Sequence, residues 1–91
     1  MKAAERRHLA RVAGLGCICC RLMAQGNDTP AEIHHLREGQ GMAQRGSNWT
    51  AIPLCPDCHR GTMGIHGDKT YLRILKMDEL DLLAATIEAL A

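Results

Sequence analysis

Two Cys-x-x-Cys pairs, Cys17/Cys20 and Cys55/Cys58, are separated by 34 intervening residues in a chain of 91 residues. Zinc takes four soft ligands in a tetrahedron, each sulfur at ~2.3 Å, so two such pairs can close one structural site from two chain reversals. A thioredoxin-like redox motif needs one pair and a longer βαβ context, which ranks it low. Cys19 is an extra thiol, either buried as a small hydrophobe or able to replace a neighbouring ligand. Histidine carries the other signal. Four of the five lie in Ile33-His34-His35, Cys58-His59 and Ile65-His66. Neighbours in a strand point to opposite faces, so His34 and His35 cannot readily hold one metal together. They have different jobs: one can be a ligand while the other stays free as a base near neutral pH.

The elements that must position these groups can be read in outline. An apolar side of Ala3, Ala4, Leu9, Ala10, Val12 and Ala13 against Arg6, Arg7 and Arg11 predicts a helix over 2–13, ended by Gly14 and Gly16. Leu15–Leu22 is a short segment carrying three cysteines, and Gln25–Pro30 is turn material. Ala31–Leu36 reads as a strand end, Arg37–Ser47 as a glycine-rich loop, and Trp49–Leu54 as a second strand. Pro56 sits where a first helical residue belongs, opening a helix at Pro56-Asp57-Cys58-His59 that Gly61 and Gly64 make fragile. Asp68–Lys76 predicts one further helix. Asp78 is a good N-cap for the last, whose Leu80, Leu83, Ile87 and Leu90 form a stripe that serves as core or as a dimer seam. Trp49 is expected in the core and His8 facing solvent.

Size and charge bound the function. A 10 kDa chain allows one compact unit and excludes two-lobed cofactor enzymes. With Trp49 and Tyr71 its only aromatic residues and no Phe, the core is thin, and a metal would help offset the entropy of folding. The odd cysteine count argues for metal-bound thiolates rather than a disulfide framework. Eleven Lys and Arg oppose ten Asp and Glu, net +1, but the distribution is uneven. Residues 78–91 hold Asp78, Glu79, Asp81 and Glu88 with no base, leaving eleven bases against six acids in 1–77, net +5. A basic body with an acidic tail suits a polyanion on one face and solvent or a partner on the other. No stretch approaches the ~20 apolar residues of a membrane span, and the N-terminus lacks a signal-type apolar run, so a soluble, cytoplasmic protein with no membrane partner is expected.

Taken in order, Cys17-x-x-Cys20, Glu32-Ile33-His34-His35, the glycine-rich loop, Ile52-Pro53-Leu54-Cys55-Pro56-Asp57-Cys58-His59 and Gly64-Ile65-His66-Gly67 resemble the HNH endonucleases with the ββα-metal core. Within them the chain is similar to the small phage recombination-enhancement nucleases, over residues 17 to about 67. The resemblance implies an α+β fold: a zinc-stabilised ββα-metal core over about 15–67, with flanking helices including those of about 68–91, all in one domain of 1–91. It implies a metal-dependent endonuclease cutting DNA phosphodiester bonds, with a phage origin and a recombination protein as a further partner. His35 would be the general base, His34 and His59 ligands of the catalytic metal with His66 a third, and Cys17, Cys20, Cys55 and Cys58 the structural zinc ligands. The family's Asn position, five residues before Cys55, holds Thr50; Asn48 lies two earlier and would keep the same strand face as the loop-pinning residue. On a continuous helix His59 and His66 would stand roughly 10 Å apart, so His66 joins the site only if Gly61 and Gly64 break the helix.

These roles suit phosphodiester hydrolysis, which needs a deprotonated water, neutralised phosphoryl oxygens and a stabilised leaving oxygen. All-imidazole ligation favours Zn²⁺, Ni²⁺, Co²⁺ or Mn²⁺ over Mg²⁺ in intrinsic affinity, and the working ion stays open among Mg²⁺, Mn²⁺, Ni²⁺ and Zn²⁺. Glu32 either orients a ligand histidine or is a solvated edge carboxylate. Arg37, Arg45, Arg60 and Lys69 flank the histidines, and Lys2, Arg6, Arg7, Arg11 and Arg21 enrich the N-terminal part; either set can neutralise phosphates. With so few aromatic residues, backbone binding with little sequence preference is expected. The alternative is a non-catalytic zinc module that binds DNA or a protein, and the adjacent pair His34-His35 speaks against it, because four cysteines already close a structural site.

Overall fold

A computed structural model describes residues 1–25, 30–37 and 46–91. Residues 26–29, read from the sequence as turn material, and 38–45, read as part of a glycine-rich loop with Gly39, Gly41 and Arg45, lie outside the described residues. Over the described residues the chain is a small α+β fold of two antiparallel strands and several helices: α1 (Ala3–Gly14), α2 (Ile18–Leu22), β1 (Glu32–His35), a 3-10 turn (Asn48–Thr50), β2 (Ala51–Leu54), α3 (Pro56–Arg60), α4 (Thr70–Leu75) and α5 (Glu79–Leu90). β1 pairs with β2 in the register Glu32 to Leu54, Ile33 to Pro53, His34 to Ile52 and His35 to Ala51. A two-stranded sheet leaves each strand an edge where the missing N–H of Pro53 costs little. Gly46 N–H donates to the Leu36 carbonyl at 3.1 Å, joining the chain just after β1 to the chain just before the 3-10 turn. A Cβ at Gly46 would sit 2.5 Å from that oxygen, so only glycine fits.

An isolated hairpin is marginal, and this one is held by what packs on it. Ile52, Leu54, Ile18, Ile65, Leu72 and Leu82 are buried with all five cysteines in one cluster drawn from β2, α2, α3, α4 and α5 and the α3–α4 connection. Val12 of α1 is fully buried as well.

Several sequence expectations need correcting. The second strand starts at Ala51 rather than Trp49, because the Ser47 hydroxyl accepts from the Trp49 N–H at 3.1 Å and its carbonyl from the Thr50 N–H at 3.1 Å, winding 48–50 into a 3-10 turn. Trp49 is not core but 50% exposed, and His8 does not face solvent: it is half-buried, its ring 4.9 Å from the indole. The helix read over 68–76 is trimmed to 70–75 by left-handed residues at both ends, Lys69 (φ 62°) and Lys76 (φ 57°). Asp78 does cap α5, in a reciprocal box with Asp81. Of the α5 stripe, Leu83 packs against the core but Leu80 and Ile87 are 45% and 56% exposed, so the stripe as a whole is not this chain's core face, which is centred on the buried Leu82 and Thr86. Thr86 is admitted because its hydroxyl donates to the Leu82 carbonyl at 2.8 Å.

Candidate functional site

The two cysteine pairs are built alike. Cys17 caps α2 and Cys55 caps α3, each sulfur accepting from the backbone N–H of the second cysteine of its pair, at 3.4 Å (Cys20) and 3.5 Å (Cys58). The helix start thus turns both sulfurs of a pair to one side. Cys17, Cys20, Cys55 and Cys58, all buried, bring their sulfurs within 4.8 Å of one another, and Cys19 is buried beside them but outside that group. The Cys20 sulfur lies 3.8 Å from that of Cys55 and 3.6 Å from that of Cys58. A tetrahedron with ~2.3 Å metal–sulfur bonds has edges of ~3.8 Å, so the donor set and its spacing fit a bound metal ion of the zinc type. Burial pushes the Cys20 thiol up to about 12 and raises Cys58 as well. Cys55 is pulled down despite its burial, by hydrogen bonds from the Cys58 backbone and the neighbouring thiols.

The second cluster is His34, His59 and His66, whose ligand-capable nitrogens also fall within 4.8 Å. α3 delivers His59 at its last turn. His66 reaches it because the chain doubles back after Arg60, the His66 N–H donating to the His59 carbonyl at 3.0 Å. That reversal requires Gly64, where a Cβ would meet the Asp57 and Cys58 carbonyl oxygens at 2.6 Å each. His59 and His66 face each other with Nε2 atoms 3.2 Å apart. Nitrogen ligands of one ion at ~2.1 Å stand roughly 3.0–3.4 Å apart, so this spacing suits a shared cation.

Each of the three imidazoles has an outer partner. The Glu32 carboxylate accepts from His59 Nδ1 at 2.9 Å, and Arg60 grips the same carboxylate through Nε at 3.0 Å and a terminal nitrogen at 2.7 Å. Those bonds hold Glu32 at about 2, and because a carboxylate only accepts, the His59 proton sits on Nδ1 and the Nε2 lone pair is aimed into the cluster. Glu32 therefore orients a ligand-type histidine instead of idling at the strand edge. His34 is 2% exposed, and its Nε2 meets Glu79 Oε2 at 2.5 Å. Arg37 donates to His66 Nδ1 at 3.1 Å. Burial lowers both His34 and His66, with Glu79 opposing the shift at His34, so both rings favour the neutral form that a cation needs.

His35 goes elsewhere. From the other face of β1 its Nε2 meets Asn48 Oδ1 at 2.8 Å, and Asn48 Nδ2 donates to Glu5 Oε2 of α1 at 3.0 Å. Of Asn48 and Thr50, Asn48 contacts His35, reaching it from the 3-10 turn and not from a strand, while Thr50 donates its hydroxyl to the Ser47 carbonyl. Sequence reading missed Glu5 and Glu79. Neither carried a local signal, since their contacts join residues 43 and 45 positions apart.

Beside the histidines opens a cleft of about 1020 Å³ reached by His34, His66, Arg37, Lys69, Arg73 and Lys76. Arg73 of α4 and the two residues that flank the helix, Lys69 and Lys76, are exposed; Arg73 also donates to the Asp68 carbonyl and the Thr70 hydroxyl. The cleft's carboxylates are engaged with the chain itself: Asp78 and Asp81 accept from each other's backbone N–H, and Glu79 accepts from the Arg37 N–H at 2.8 Å. Arg60, expected to flank the substrate, is instead tied to Glu32. Among the described residues no helix is long and apolar enough to cross a membrane.

No curated protein and no solved structure matches the chain. A family model does, over residues 1–91: the chain belongs to the recombination enhancement, RecA-dependent nuclease family.

Proposed function

We propose that this nuclease is a metal-dependent endonuclease of the HNH type, hydrolysing DNA phosphodiester bonds, with the region of about 15–67 as its ββα-metal core and all of 1–91 as one functional unit. The observation that carries the reading is the opposite orientation of two sequence neighbours: His34 joins His59 and His66, while His35 turns to Asn48. A structural metal module has no use for that division. An attacking water and the ion that assists it do, since one imidazole must keep its lone pair for a proton while the others give theirs to a cation.

In this reading Cys17, Cys20, Cys55 and Cys58 hold a structural zinc ion, which fixes α2 against α3 and so sets where β2 delivers its neighbours. His34, His59 and His66 hold a divalent ion, Mg²⁺, Mn²⁺, Ni²⁺ or Zn²⁺, which when bound neutralises the phosphoryl and leaving oxygens. His35 accepts the proton of the attacking water at the nitrogen turned away from Asn48. Lys69, Arg73 and Lys76 contact backbone phosphates at α4 and its flanks, and Arg37, which donates to His66 Nδ1, would be free to join them if His66 Nε2 held the ion and Nδ1 carried the ring proton. These contacts read charge and spacing rather than base identity, which supports weak sequence preference. The family's description supports a recombinase of the RecA type as the partner on which cutting depends.

The test is plasmid nicking, with and without RecA filaments, in Mg²⁺, Mn²⁺ or Ni²⁺, comparing the wild type with His35→Ala. The expected result is cutting by the wild type and a loss of at least about a hundredfold in the variant, the scale of general-base catalysis. Unchanged nicking by His35→Ala would refute the base assignment.

A further inference from the structure

We infer that Glu5, on the N-terminal helix, is a positioning residue for His35 and acts through the Asn48 side chain; the inference rests on the nuclease reading above. α1 lies outside the hairpin, yet it clamps the 3-10 turn at two neighbouring points. Glu5 and His8, three residues apart on one helix face, contact Asn48 and Trp49 respectively.

The chemistry of the chain Glu5–Asn48–His35 admits one arrangement. A carboxylate offers only acceptors, so Asn48 must present its amide NH₂ to Glu5, as it does at 3.0 Å. The amide oxygen is then the atom left for His35, 2.8 Å from Nε2, and an amide oxygen also only accepts. The His35 proton is thereby placed on Nε2, and the lone pair on Nδ1. Without the carboxylate the amide can turn over, present NH₂ to Nε2 and move the ring proton to Nδ1. That tautomer has its lone pair buried against Asn48 and cannot take a proton from water at Nδ1. Glu5 thus does through an amide what the carboxylate of a Ser-His-Asp triad does directly, selecting a tautomer without itself exchanging a proton.

The decisive variant is Glu5→Gln, which is isosteric and keeps a hydrogen bond to Asn48 but can either donate or accept. Single-turnover cleavage, zinc content, thermal unfolding and the imidazole nitrogen shifts of His35 are measured for wild type, Glu5→Gln, Glu5→Ala, Asn48→Ala and the double variant Glu5→Ala/Asn48→Ala. For Glu5→Gln we expect kcat to fall roughly tenfold, on the scale of losing an outer-shell partner, with KM and zinc content unchanged. The His35 shifts should move from one Nε2–H tautomer to a mixture. The double variant should be no slower than Asn48→Ala alone, because among the described residues the contact that joins Glu5 to His35 runs through Asn48. Glu5→Gln with wild-type kcat and a single tautomer would overturn the inference, as would multiplicative losses in the double variant. If the wild type cuts nothing under any condition the nuclease reading falls, and the tautomer measurement still decides the role of Glu5.

Discussion

Glu79 Oε2 lies 2.5 Å from His34 Nε2, so the first turn of the last helix reaches back to a buried imidazole in the first strand. The acidic tail is therefore not wholly a solvated face: one of its four carboxylates is part of the histidine cluster's support. Glu79 also accepts from the Arg37 N–H, fixing the chain where it leaves β1. Removing this carboxylate frees the His34 ring to rotate. Glu79→Ala is expected to weaken divalent-ion binding by about tenfold to a hundredfold, read by titration calorimetry with Mn²⁺, with the structural zinc content unchanged.

Proton release on zinc binding should report the thiol cluster. Burial raises both Cys20 and Cys58, so at neutral pH those two thiols keep their protons until a cation displaces them. Zinc binding should release at least two protons per ion, measured by calorimetry in buffers of different ionisation enthalpy. Affinity then rises with pH and falls with acid, because protons compete for the same sulfurs. Cys55→Ser is expected to lower zinc from about one per chain and to destabilise the fold, checked by metal analysis and thermal unfolding.

The group of bases formed by Arg73 of α4 and its flanking Lys69 and Lys76 is testable by salt. If Lys69, Arg73 and Lys76 each meet a phosphate, replacing all three by Ala should reduce the slope of log affinity against log salt by about 2–3 and weaken binding to all sequences alike. Fluorescence anisotropy with unrelated oligonucleotides checks both points. An unchanged slope would place the nucleic acid on another face.

Gly64 is the hinge that returns His66 to His59. A Cβ there meets two carbonyl oxygens at 2.6 Å, neither belonging to a flexible side chain. Gly64→Ala should destabilise by about 1–3 kcal/mol, as overpacking does, and should lower divalent affinity more than Gly14→Ala, whose Cβ would meet nothing within 4 Å. Thermal unfolding and Mn²⁺ titration of the two variants make the comparison.

Much of the site was legible because its signals are short-range. A cysteine three residues before another, at a helix start, already fixes where both sulfurs point, and alternation along a strand already separates His34 from His35. The proline opening α3 and the aspartate capping α5 act within one turn, and both elements begin there. The buried side of α5 was not legible, because a helix apolar nearly all round offers two stripes, and β2 and α2 choose the one with Leu82 and Thr86. Trp49 was misplaced for a related reason: its hydrophobicity predicts burial, but the Ser47 cap turns the backbone before the strand begins.

What the amino-acid sequence determined alone is the inventory and its local geometry: two metal-type ligand sets, one pair of divergent imidazoles, and glycines where the chain must double back. Only the tertiary structure decided which carboxylates serve them. Glu5, Glu32 and Glu79 come from α1, β1 and α5, and a side chain's hydrogen-bond partner across 27 to 45 residues depends on how helices pack, not on any periodicity along the chain.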